Sequence, residues 1–304
     1  MLGRARRTIN AYREVVIVST AAVIGLTLQT PLSWLDRHQG IDIFLVILVF
    51  STALNIEARS LRRLPAAWRQ LSLALIAGIT LLPALSWVAA QLIAPGPLRE
   101  GVTTIGLAPC EIASIATTAM AGGDVALAGG VLIGSTLLIV ALAGPILAAE
   151  SSGAALDPWH ILLNLIWIVA VPLAAGVVIR ASFELPEVVS RCAATTSTLS
   201  VAALVALVAA EVHFTLAYLA VLAAIVVFLT ASIGVGLLVG YRATVPAKMA
   251  LLLTMSMRDF AIAAGLATSA FGPRAAAPLG LYGITVLIWG TGSAGFMRGK
   301  TATS

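Results

Sequence analysis

Between residues 15 and 296 the chain returns repeatedly to apolar runs of about twenty residues, the length an α-helix needs to cross a hydrocarbon layer of about 30 Å. A bilayer offers no water to unpaired backbone groups, so such runs fold as helices that satisfy their own amides and carbonyls. Composition agrees. Of 304 residues, 60% are hydrophobic and 10% charged, with a mean hydropathy of +1.04, whereas soluble domains run at about 25% charged. The expected fold class is an all-α polytopic membrane protein.

The runs predict ten spans, at 15–35, 41–56, 71–93, 102–121, 125–149, 159–179, 193–210, 215–240, 247–270 and 275–296. No small-residue cleavage site follows the first, which is therefore expected to be retained and not removed as a signal peptide. Pro83 is expected to kink the third span. A polar loop beginning at Glu150 divides the spans five and five, into residues 1–150 and 151–304. An odd number of spans per unit forces two copies of a duplicated unit into opposite orientation, so an inverted repeat is expected.

Charge placement bears on the same count. Lys and Arg accumulate in cytoplasmic loops. With a cytoplasmic N-terminus, four basic residues at 4–13, four at 59–69, two at 180–191, two at 242–248 and two at 298–300 lie inside, fourteen of the eighteen. Arg37, Arg99 and Arg274 lie outside, and Arg258 falls within a span. Both termini are thus expected in the cytoplasm, with the chain in the cell membrane. The same loops account for the net charge of +5 and pI of 9.8, and no nucleic-acid-binding motif is present.

Two spans do not read as lipid-facing helices. Residues 107–124, LAPCEIASIATTAMAGGD, combine a proline, Cys110, Glu111, small hydroxyls and paired glycines, and residues 254–272, TMSMRDFAIAAGLATSAFG, set Arg258 beside Asp259. An ionisable side chain at the bilayer centre costs about 2.5–3.5 kcal/mol even on the insertion scale, so both stretches must face protein or water. Interrupted polar segments, one in each half of a chain, point to a substrate site at a repeat interface in a secondary transporter. The helices are expected to unwind at Glu111–Ser114 and Ser256–Asp259. The candidate site residues are Glu111, Ser114, Thr117, Thr118, Ser256, Arg258 and Asp259, with Cys110 as a candidate metalloid contact.

Each has a plainer alternative. Cys110 serves equally as a small apolar residue, and Arg258 with Asp259 equally as a structural pair between two half-helices. Consecutive helical residues point about 100° apart, so that pair serves different partners or sits where the helix unwinds. Asp124 is expected to cap the fifth helix, and Asp157, Glu211 and His213 to lie in loops. Two cysteines, Cys110 and Cys192, give neither a disulfide framework nor a metal-ligand spacing. With no HExxH motif and no nucleophile accompanied by a membrane-embedded His, neither an enzyme nor a cofactor is expected.

The stretches LAPCEIASIATTAMAGGDVALAGGV and MRDFAIAAGLATSAFG resemble the broken fourth and ninth helices of the bile acid:sodium symporter family and of the related arsenite-resistance permeases. The resemblance implies a core of spans three to five and eight to ten and a panel of spans one, two, six and seven. The broken helices cross near the midplane, and the substrate lies between core and panel. It also implies that Ser114 keeps a sodium-ligand position of the bacterial symporters. Ile115 stands where they have Asn, Ala128 and Leu132 replace fifth-helix hydroxyls, Thr254 replaces a Glu and Arg258 a Gln. The permease-like features are the APC at Ala108–Cys110 and the acid at Asp259.

The expected function is secondary active transport of a small organic anion or acid by alternating access, with the lipid bilayer and a small anionic substrate as partners. The alternatives are an arsenite or metalloid efflux permease and, from another class, a non-transporting membrane sensor, for which the loops leave no signalling domain. The coupling ion is H+ or Na+. A hard cation needs several oxygen ligands, and a guanidinium is a fixed charge where sodium would be a transient one. Proton coupling is therefore favoured, with Glu111 as carrier and Asp259 ionised beside a cation.

Overall fold

The computed structural model describes residues 16–17, 19–37, 39–55, 67–150, 157–212 and 215–301. The basic head at 1–14, residues 57–66 of the connector, the loop at 151–156 and His213 lie outside the described residues. Among the described residues the fold is all helical. After a helical stretch at 19–27 come α1 (Gln29–Arg37), α2 (Gly40–Ala53), α3 (Trp68–Ala90), α4 (Pro97–Leu107), α5 (Ala113–Ala121) and α6 (Val125–Glu150). They are followed by α7 (Pro158–Leu165), α8 (Val171–Ser182), α9 (Glu187–Ala210), α10 (Ala217–Val239), α11 (Val245–Ser256), α12 (Phe260–Phe271) and α13 (Ala277–Thr301).

Six described stretches are long and apolar enough to cross a membrane: Trp68–Ala90, Val125–Ala149, Pro158–Ser182, Glu187–Ala210, Ala217–Val239 and Pro273–Ser293. The chain is a multi-pass membrane protein. The helix α10 shows why apolar residues alone do not tell inside from outside here. Val221, Ala224, Ile225, Phe228, Ser232 and Val235 recur every three or four residues and are buried, whereas Leu219, Val226, Leu237 and Leu238 on the other face are equally apolar yet exposed. One face meets protein and the other hydrocarbon.

The interruptions have local causes. Ala108 precedes Pro109, whose ring drives its neighbour out of the α region; Ala108 is extended at φ −76°, ψ 152°, and α4 stops there. The helix resumes at Ala113, so the first break spans residues 108–112 and lies closer to the N-terminus than the expected Glu111–Ser114; Ser114 is helical. The second break falls at Met257–Asp259, with Ser256 the last residue of α11. The helix α5 ends on Gly122 in the left-handed conformation (φ 75°), which relieves its last carbonyls without a Cβ clash.

Other boundaries differ from the sequence expectation for similar reasons. The expected span 159–179 is two α-helices joined by a π-turn, Ile166–Ala170, immediately ahead of Pro172, which has no amide to give the preceding turn. The helix α9 starts at Glu187 and not near 193, because Pro186 sets its start and its polar first turns remain helical. Pro83 lies within an unbroken α3. Asp124 does cap α6, its Oδ1 accepting the Leu127 N–H at 3.1 Å, and Asp157 caps α7 by accepting the Trp159 N–H at 3.0 Å. In the packing, α4 lies against α3 and α12, α10 against α3 and α11, and α5 against α11 and α13, so the four half-helices share one centre.

Candidate functional site

The two breaks meet. Freed from helical bonds, the Glu111 N–H donates to the Met257 carbonyl at 2.8 Å and the Asp259 N–H to the Pro109 carbonyl at 2.9 Å, which sets Cys110 and Arg258 opposite each other in a single antiparallel bridge. Each interruption thereby satisfies the other's backbone, in surroundings where an unpaired amide costs several kcal/mol. The Cys110 N–H turns to Ser135 Oγ at 3.3 Å.

Charges sort themselves by helix end. Arg258 is 1% exposed; its Nη2 donates to the Ala108 carbonyl at the C-terminus of α4, where a cation complements the helix dipole. Its backbone N–H donates to Tyr282 Oη at 3.0 Å, but Nε and Nη1 have no partner among the described residues. A Cβ added at Gly78 would stand 3.9 Å from Nη1, so the guanidinium lies over a bare stretch of α3.

The carboxylates lie at the opposite kind of helix end. Asp259 is the N-cap of α12, with Oδ1 accepting the Ala261 and Ile262 N–H groups at 2.9 Å each and Oδ2 unpartnered. Glu111 Oε2 accepts the Phe260 N–H at 3.4 Å. Three amides of the first turn of α12 are therefore held by the protein's own acids. The N-terminus of α12 is thus already occupied, and the group with spare donors is Arg258. No ion pair joins Arg258 to Asp259: the acid caps a helix.

The hydroxyls divide. Ser114 Oγ and Thr118 Oγ1 are buried without a partner and lie four residues apart on one face of α5. Thr117 Oγ1 donates to the Ala113 and Ser114 carbonyls at 3.1 and 3.0 Å and faces Met257 Sδ at 3.6 Å. Ser256 Oγ donates to the Leu252 carbonyl at 2.7 Å and accepts the Trp289 Nε1–H at 2.9 Å. Tyr282, Trp289 and Ser135 were not singled out in the sequence. Tyr282 alone had a signal, a phenol flanked by Gly280 and Gly283 in an apolar run.

A cavity of about 750 Å³ lies apart from this cluster, lined by Ala22, Leu26, Val205, Ala209, Leu222 and Ile284 among others. Its lining is almost wholly apolar.

The profile of the sodium bile acid symporter family matches residues 42–223, more than half of the 304-residue chain. The chain belongs to that family. It is also 26% identical, over 273 residues, to an uncharacterized sodium-dependent transporter, YocS, of Bacillus subtilis (strain 168); the match covers 86% of this chain and 84% of the relative. Members of the sodium bile acid symporter family are transporters, so this chain is a membrane transporter and not an enzyme. The sensor alternative is set aside with it.

Proposed function

We propose that this protein is a secondary active transporter of a small organic anion, or of the corresponding acid, working by alternating access with a proton as the coupling ion. The observation that carries this reading is Arg258: a buried guanidinium at the centre of four half-helices, with Nε and Nη1 unpartnered. A cation so placed is costly unless something anionic visits it.

In this reading residues 1–150 and 151–304 are two five-span repeats in opposite orientation, with both termini cytoplasmic in the cell membrane. Support comes from matched punctuation. Pro97 and Pro246 open α4 and α11, each helix breaks before its partner, and α5 and α12 end on Gly122 and Gly272. Spans three to five and eight to ten form the core and the others the panel. The apolar cavity then lies between panel residues Ala22 and Val205 and core residues Leu222 and Ile284, a place for the hydrocarbon part of an organic anion. Leu281 and Ile284 line it while Tyr282, next along α13, turns to Arg258. Rocking of core against panel would expose the crossing to each side in turn.

Sodium fits these residues poorly. The Thr254 hydroxyl donates to the Ala250 carbonyl of its own helix at 2.8 Å, Ile115, Ala128 and Leu132 supply no side-chain oxygen, and Arg258 brings a fixed positive charge. Of the site's buried side-chain oxygens, Ser114 Oγ, Thr118 Oγ1 and Asp259 Oδ2 have no partner, and a hard cation drawn to them would share the site with the fixed charge of Arg258. Glu111, which belongs to one broken helix and touches the other, is the group that would carry the proton. The arsenite alternative rests on the APC at Ala108–Cys110 and the acid at Asp259, with Cys110 the one thiol at the site. Replacing Arg258 by Ala tests the anion site against a panel of small organic anions and arsenite. Affinity for the transported anion should fall at least about thirtyfold, the lower end for removing one member of a buried charge pair. Unchanged affinity in a folded variant would remove the assignment.

A further inference from the structure

A second site lies where α3 begins and α10 ends. A pocket of about 370 Å³ is lined by Arg69, Gln70, Leu73, Leu238, Tyr241 and Arg242 among others, with no acid among the described residues of its wall. The helices α3 and α10 pack against each other and both are long enough to span. Trp68 is the first residue of α3 and Val239 the last of α10, so the pocket sits at the depth where a span leaves the hydrocarbon. Exposed Trp68 and Tyr241 mark the same level, as aromatic residues do at membrane interfaces. Below it, Leu73, Ile76, Leu237 and Leu238 are 51%, 59%, 57% and 69% exposed and form a lipid-facing apolar strip on the same two helices.

We infer that this pocket binds the headgroup phosphate of an anionic phospholipid, with the acyl chains laid along Leu73, Ile76 and Leu238. Arg69 and Arg242 make no hydrogen bond or ion pair with the described residues, so their planar donor forks are free for phosphate oxygens. Gln70 and Tyr241 add neutral donors. The lipid-facing strip favours a phospholipid over a soluble phosphate, because the same molecule fills both the polar pocket and the apolar surface beneath it. Basic pockets between spans are established headgroup sites in membrane proteins generally. Bound there, the lipid would tie α3 to α10.

The full-length protein, purified in a neutral detergent, is titrated with phosphatidylglycerol, phosphatidylcholine or inorganic phosphate, and bound lipid is counted by native mass spectrometry. Phosphatidylglycerol should bind in preference to phosphatidylcholine, and inorganic phosphate should not displace it. The double substitution Arg69→Gln with Arg242→Gln should weaken it about thirtyfold, at about fivefold per basic residue. Arg191→Gln, whose guanidinium already pairs with Glu187 at 2.5 Å, should leave it unchanged. If the double variant does not fold, Arg242→Gln alone, in an exposed turn, should cost about fivefold. Equal binding of phosphatidylcholine, displacement by inorganic phosphate, or unchanged affinity in the Arg242 variant would overturn the site.

Discussion

The Glu111 carboxylate, carried by the break between α4 and α5, accepts the N–H of Phe260, the first residue of α12, at 3.4 Å. One acid thus touches both interrupted helices where their breaks meet, beside Asp259, which occupies the corresponding position after Arg258 in the Cys110–Arg258 bridge. Adding a proton to Glu111 removes a charged acceptor from that junction, and this is how the site would link protonation to helix position.

Asp259 is a cap before it is anything else. Asp259→Ala removes the acceptor of two amides and should lower stability by about 1–2 kcal/mol, whereas Asp259→Asn, which keeps an oxygen at that place, should lose much less. Denaturant unfolding in detergent followed by circular dichroism checks the difference. Equal losses in the two variants would mean that charge, and not capping, is what Asp259 supplies.

Tyr282 positions Arg258 through its main chain. Tyr282→Phe leaves the ring edge-on to Phe228, now 6.3 Å between centroids, but orphans the buried Arg258 N–H at a cost of about 1–3 kcal/mol. Unfolding midpoints should shift accordingly, and anion affinity should weaken in the folded fraction. A neutral effect on both would separate Tyr282 from the site.

The junction also depends on how closely α4 approaches α3. A Cβ at Gly106 would lie 2.2 Å from Ser86 Oγ and 2.3 Å from the Leu82 carbonyl, and Ser86 Oγ is already engaged with the Thr103 carbonyl at 2.9 Å. Gly106→Ala should therefore cost about 1–3 kcal/mol by overpacking. Thermal unfolding indistinguishable from the unsubstituted chain would show that the helices separate without penalty.

How much of this was legible depends on whether a residue acts through its neighbours in sequence or across the fold. Pro109, Gly122 and the buried charges announced two interruptions, because proline and glycine act on their own backbone. Polarity alone places the first break too late, because the residue before a proline decides where a helix stops. The mutual bridge, the α12 cap by Glu111 and the Tyr282 and Trp289 contacts join residues far apart in sequence, and no local pattern reports them. The helix-capping role of Asp259 is hidden for the same reason: only the turn of the chain at Phe260 reveals that two amides claim its carboxylate.

In the proposed function a fixed guanidinium at Arg258 stands where a transient cation would otherwise bind, which leaves Glu111 to couple transport to protons. The direct measurement is uptake of an identified anionic substrate into proteoliposomes under imposed pH and sodium gradients, with and without Glu111→Gln. Accumulation should follow the pH gradient, be unmoved by sodium at fixed pH, and lose its pH dependence in the variant. Accumulation that rises with sodium at fixed pH, or a proton dependence that survives Glu111→Gln, would contradict it.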